Sequence, residues 1–247
     1  MLNAFLWGLL TTSSLVIGGL ITIRFSLSKR TVGVIMAFGA GALISAVAYE
    51  LVFEAVDLGK LTGYPALGFF AGAAVFYFAD EWIGHFVSSN PSGSEGSSGS
   101  GMVIPMILGI ILDGIPESIV IGLGILKGGT VSLAMLVAVF ISNLPEAIAG
   151  SSGMKEQGFS RSRIILLWIV IALVCAAATV AGYSLFQTTP DHWLAFVDAF
   201  AAGAILMMLA NSMMPEAYEH GGKLTGIFTV LGFFVSVMVV IFESSGS

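Results

Sequence analysis

Eight runs of apolar residues, each about 20 residues or longer, decide what this chain can fold into, because about 20 residues of helix cross the hydrocarbon core of a bilayer. They lie at Asn3–Ile23, Val32–Val56, Tyr64–Val87, Met102–Leu126, Thr130–Gly153, Arg163–Phe186, Trp193–Glu219 and Leu224–Glu243, separated by Gly, Pro, Ser and charged residues. In lipid the backbone must satisfy its own hydrogen bonds, so only helices and closed barrels can span. Barrel strands need alternating segments of about ten residues, and these runs are longer and do not alternate. The spacing therefore predicts an all-α integral membrane protein with eight transmembrane helices.

Composition agrees. Hydrophobic residues make up 57% of the chain and charged residues 10%, with a mean hydropathy of +0.99, whereas soluble domains carry about 25% charged residues. A bundle of spanning helices folds as one unit, so residues 1–247 read as a single domain. Cys175 stands alone, which excludes an intramolecular disulfide framework, and no basic patch points to nucleic acid. The first apolar run has neither a positive leader nor a clear small-residue cleavage site, and is expected to be a retained helix rather than a signal peptide.

Lys and Arg set the expected orientation. The connections after runs 1, 3, 5 and 7 hold Arg24, Lys29, Arg30, Lys155, Arg161, Arg163 and Lys223; the other side holds only Lys60 and Lys127. Because positive residues favour the cytoplasm, both termini are expected outside, extracellular or periplasmic, for a multi-pass protein of the cell membrane. The Ser/Gly stretch Ser88–Gly101 then becomes a flexible cytoplasmic linker.

Internal repeats are legible. "AFGAGALISAVAYELVFEA" from Ala37 aligns with "AFAAGAILMMLANSMMPEA" from Ala199, setting Glu54 opposite Glu216, and "DGIPESI" from Asp113 aligns with "SNLPEAI" from Ser142. With eight crossings the partners of each pair run in opposite directions, which predicts a 3+2+3 inverted repeat. Secondary transporters commonly have this plan, with the site near the midplane.

The second pair carries the chemistry. Asp113 and Glu117 are spaced i,i+4 and share one helix face. Pro116 and Pro145 cannot donate to the carbonyls of Leu112 and Ile141, so each helix is expected to kink and leave a carbonyl seeking a partner. Two such kinks facing each other would gather Asp113, Glu117, Ser142, Asn143 and Glu146 into an oxygen-rich cage. Each ionised residue at mid-bilayer costs about 2.5–3.5 kcal/mol on insertion scales, and no Lys or Arg lies in either helix core. A divalent cation or protons must neutralise the carboxylates; neutral carboxyls hydrogen-bonding across a kinked bundle are the purely structural alternative.

Eight helices, a cytoplasmic linker between helices 3 and 4, outside termini and paired Pro-Glu motifs resemble the prokaryotic-type members of the ZIP (Zrt-, Irt-like) family of divalent metal transporters, over essentially the whole chain. That family usually has His-Asn-x-Pro-Glu-Gly on helix 4 and a similar His/Gln-Asn/Asp-x-Pro-Glu-Gly on helix 5. Here the two motifs read Asp113-Gly114-Ile115-Pro116-Glu117-Ser118 and Ser142-Asn143-Leu144-Pro145-Glu146-Ala147. The resemblance implies metal ligation by Glu117, Asn143 and Glu146, with Asp113 and Ser142 at the positions of a usual His and a usual His or Gln, and Gly114 in place of a ligand Asn. Loss of imidazole leans the site toward harder ions, yet zinc, the family's usual substrate, stays the first expectation, with manganese, iron or cadmium as other substrates. The metal is cargo, and no prosthetic group is expected. The resemblance also admits a homodimer, and lipid is the surrounding partner.

Further polar residues fit a path. Glu50 and Glu54 near the outer end of helix 2, with Asp198 on helix 7, suit an electronegative entrance, or are solvated helix-end carboxylates. Asn211, Glu216 and His220 on helix 7 suit an exit. The methionines of helix 7 read as core filling, and its Gly/Ala run, like that of helix 2, as a close-packing surface. The expected function is transport rather than enzymology. An intramembrane metal-dependent hydrolase and a proton-coupled cation exporter are the alternatives.

Overall fold

The computed structural model describes residues 1–60, 62–89, 103–128 and 131–246. Its helices are α1 (Leu2–Arg24), α2 (Lys29–Gly59), α3 (Tyr64–Ser89), α4 (Val103–Gly128), α5 (Leu133–Glu156), α6 (Arg161–Leu185), α7 (Asp191–Gly221) and α8 (Leu224–Gly246). Eight stretches within them are long and apolar enough to cross a membrane, and no strand occurs among the described residues. Most of the expected linker lies outside the described residues.

Serine caps start several helices where the sequence first turns apolar. The hydroxyl oxygens of Ser28, Ser132 and Ser160 accept from the backbone N–H of Thr31, Met135 and Arg163 at 3.1, 3.2 and 3.4 Å, satisfying donors that a helix start leaves free. At the end of α2, Lys60 closes the helix in the left-handed region at φ 44°. α7 ends at Gly222 with φ 60°.

α2 and α7 form the centre. The most apolar windows of these two helices are 67% and 61% buried, against 17% for α3 and for α8, so α3 and α8 are peripheral and turn Phe70, Phe78, Phe234 and Phe242 outward. Glycine lets each central helix touch its peripheral neighbour backbone to backbone. A methyl group at Gly41 would run into the carbonyl oxygen of Thr229 on α8, and one at Gly232 into that of Phe38 on α2. A methyl at Gly203 would likewise meet the Phe69 carbonyl on α3, and one at Gly72 the Phe200 carbonyl on α7. Apolar helices gain no hydrophobic drive from leaving lipid, so such close van der Waals contact is what binds them.

α4 and α5 complete the bundle. α1 packs on α5 and α6, α4 packs on α6, and α5 packs on α2. One core cluster fills the space among α2, α4, α5 and α7; a second surrounds Trp168 with Leu15, Ala147, Met154, Ile164 and Cys175.

Both α4 and α5 remain helical through Pro116 and Pro145. The departure from regular α geometry falls instead in α2 and α7, as wide π-type turns at Val47–Val52 and Leu209–Met213. Val47 and Leu209 are opposite each other in the repeat alignment. Pro215, which cannot donate to the Asn211 carbonyl, is a local cause in α7, but α2 has the same turn with no proline. Wide turns of this kind are frequent at functional sites.

Candidate metal site

A cavity of about 370 Å³ opens among α2, α4, α5 and α7, with Asp113, Glu146 and Glu216 on its wall beside Ser212 and Met36. Helical period explains the wall. Met208, Ser212 and Glu216 follow one another at i,i+4 on α7, whereas Asn211, on a neighbouring face, is exposed and does not line the cavity. On α4, Gly109 and Asp113 share the cavity face, and Glu117, one turn further along, is 2% exposed. Glu117 Oε2 finds no hydrogen-bond partner among the described residues.

The carboxylates sense one another. Glu146 lies within electrostatic range of Asp113, Glu117 and Glu216, and Asp113 also faces the charge of Asp80 on α3. The donors are oxygens of carboxylates, which suit divalent cations. No three His, Cys, Asp or Glu side chains among the described residues stand close enough to hold one ion together. The arrangement is a carboxylate-lined cavity rather than a closed coordination shell.

Not every expected ligand reaches this wall. Ser142 is fully buried at the α2 crossing, where its Cα would lie 2.9 Å from a methyl on Gly39, and its hydroxyl donates to the Val139 carbonyl at 3.0 Å. Asn143 is buried beside it at 4% exposure. On the other side of the motif, a methyl on Gly114 would come 2.9 Å from Cys175 Sγ on α6. A larger side chain at position 114 would meet α6 here.

A second cavity, of about 560 Å³, lies on the other side of Glu216 and Ala149, which line both. It is bordered by Glu156, Lys155, Lys29 and His220, at the end of the bundle that gathers the basic connections. His220 Nδ1 has no hydrogen-bond partner among the described residues. At the opposite end, Glu50 and Glu54 line a pocket of only about 30 Å³. Lys127 sits in it, 2.9 Å from Glu54 and 2.8 Å from Asp198. Sequence reasoning placed Lys127 at a helix end and gave it no role, because its partners come from helices distant in the chain.

Fold and cavity together define a multi-pass, all-helical membrane protein with a carboxylate-lined cavity in its interior. The chain is 22% identical over 223 residues, 88% of its length, to a "putative zinc transporter" of Arabidopsis thaliana, of which that match spans 35%. It is 26% identical over 139 residues, 51% of its length, to the "zinc transporter zipt-7.2" of Caenorhabditis elegans, of which that match spans 29%. The chain thus spans about a third of the length of these curated relatives. No family model matches it. The resemblance to the ZIP family, first carried by the Pro-Glu motifs of α4 and α5, is supported by both relatives.

Proposed function

We propose that this protein moves divalent metal cations across the membrane, zinc first among them, by alternating access through a site built on Asp113, Glu117 and Glu146. The observation that carries this reading is that Glu216 lines two cavities: one shared with the carboxylates of α4 and α5, the other bordered by the basic connections. Positive residues favour the cytoplasm, so the open end is read as cytoplasmic and the conformation as inward-facing. Three features support the reading. Carboxylates at mid-membrane without a lysine or arginine in the helix core call for a mobile cation. The reciprocal packing of α2 on α8 and of α7 on α3 suits an inverted repeat, the common ground of alternating access. The relatives carry zinc-transporter names.

In this mechanism a hydrated ion reaches Glu117 and Glu146 from the closed end, exchanges water for carboxylate oxygen, and leaves past Glu216 and His220. The buried Glu117 oxygen without a partner is positioned to accept such a charge. The test is flux of zinc, manganese, cadmium and iron(II) into proteoliposomes. Saturable uptake that disappears in Glu117→Ala/Glu146→Ala supports transport at this site; uptake unchanged in that variant overturns it.

A further inference from the structure

We propose that Lys127 is a tethered cation that closes the outer mouth of the pathway by occupying a carboxylate pair, Glu54 and Asp198, which in the open state receives the entering divalent ion. The inference rests on the transport reading and adds the cation site and the group that guards it.

The geometry is specific. Lys127 ends α4, the helix that carries Asp113 and Glu117, and its ammonium bonds Asp198 Oδ2 on α7 at 2.8 Å and Glu54 Oε1 on α2 at 2.9 Å. One side chain thus ties the end of a site-bearing helix to both central helices. Asp198 is 1% exposed, and its Oδ1 finds no hydrogen-bond partner among the described residues. A buried carboxylate with one oxygen on a cation and the other unmatched has donor capacity for an ion of higher charge than an ammonium. Glu50 lies on the same small pocket, beside Ser132. The site is therefore rich in oxygen and already holds a positive charge, supplied by the chain itself.

The consequence is a competition. While Lys127 fills the pair, α2, α4 and α7 are held together, and the pocket that Lys127 lines is only about 30 Å³. A divalent cation arriving at the pair displaces the ammonium, and α4 is released from α2 and α7. The cargo itself then opens the mouth, and an empty transporter stays closed outside.

Gly124 provides a reporter, since it lines this pocket and a side chain there meets nothing within 4 Å. Gly124→Cys in a Cys175→Ala background is labelled in micelles with a charged maleimide. Moving an open state from a minor population of about 10% to the dominant one raises labelling about tenfold. That rise is expected for Lys127→Gln and not for Lys127→Arg. Zinc or manganese chloride, but not choline chloride, should raise the rate in the parent. Because Lys127→Gln leaves Asp198 buried and unpaired, Lys127→Gln/Asp198→Asn is measured beside it on monodisperse protein, with the same rise expected. Labelling unchanged in both variants, or a parent rate indifferent to divalent ions, overturns the proposal. Parallel flux measurements separate the two readings: saturable uptake with insensitive labelling removes only the gate, and responsive labelling without uptake of any ion removes only transport.

Discussion

The indole Nε1 of Trp168 donates to the hydroxyl of Ser151 at 2.7 Å, and both residues are fully buried. This bond joins α6 to α5 across the second core cluster, where Gly19 of α1 leaves room for the ring: a methyl there would stand 2.6 Å from Trp168 Cδ1. Polar bonds between membrane helices are modest, about 0.6 kcal/mol on average and up to about 1.7. Ser151→Ala should therefore cost about 1 kcal/mol, read as a fall in thermal stability of the purified protein, with zinc uptake retained. Trp168→Ala also opens a cavity, with a cost of about 3–5 kcal/mol, and should lower the yield of folded protein.

Glycine at the backbone contacts should be far less replaceable than glycine facing open space. Gly41→Leu and Gly203→Leu each drive a side chain into a neighbouring carbonyl, and overpacking costs about 1–3 kcal/mol or more. Both should shift the protein from a monodisperse elution peak into aggregate, whereas Gly124→Ala, with nothing within 4 Å, should elute as the parent does. Equal behaviour of the three would dismiss the close-contact account of α2 and α7.

Glu117→Gln should separate stability from activity. Removing a buried ionisable group relieves part of its desolvation cost, so the melting temperature without metal should rise. Zinc flux into proteoliposomes should fall to background. A variant that loses both, or keeps both, contradicts a functional charge at this position.

Position relative to the two cavities should rank the α7 substitutions. Glu216 lines both cavities, so Glu216→Ala should slow uptake without abolishing it. Asn211 is exposed and off the cavity stripe, so Asn211→Ala should transport at nearly the parent rate. Asp113→His should move the ion ranking from manganese toward zinc, since imidazole suits the softer ion. Competitive flux with both ions present measures each outcome.

Lys60 holds a left-handed conformation at φ 44° where α2 ends. A side chain in that region costs about 1–2 kcal/mol that glycine avoids. Lys60→Gly should accordingly raise thermal stability by about 1 kcal/mol, with flux unchanged; a lower melting temperature would show that the lysine side chain holds that turn.

Much of this was legible in the sequence, and for identifiable reasons. Tyr64–Val87 and Leu224–Glu243 were marked to within a few residues of the apolar stretches of α3 and α8, because hydropathy and Gly or Pro breaks act locally. Asp113, Glu146 and Glu216 were singled out because charge in an apolar run is costly wherever the helix packs. Ser142 was chosen by its place in a motif; it is buried where α5 crosses Gly39 of α2, and its hydroxyl bonds the Val139 carbonyl of its own helix. The wide turns of α2 and α7 left no mark in the sequence of α2, which has no proline there.

Lys127 shows where the limit falls. In the sequence it is a basic residue in the last turn of a helix, as many helices have. Its pairing with Glu54 and Asp198 depends on how α2, α4 and α7 meet. The sequence by itself determined that eight helices form and which carry buried charge, because a backbone in lipid must satisfy its own hydrogen bonds and apolar length sets each crossing. Only the tertiary structure decided which charges meet and which cavity they line, because those follow from helix rotation and close approach, as at Gly33 against α7 and Gly39 against α5, between segments far apart in the chain.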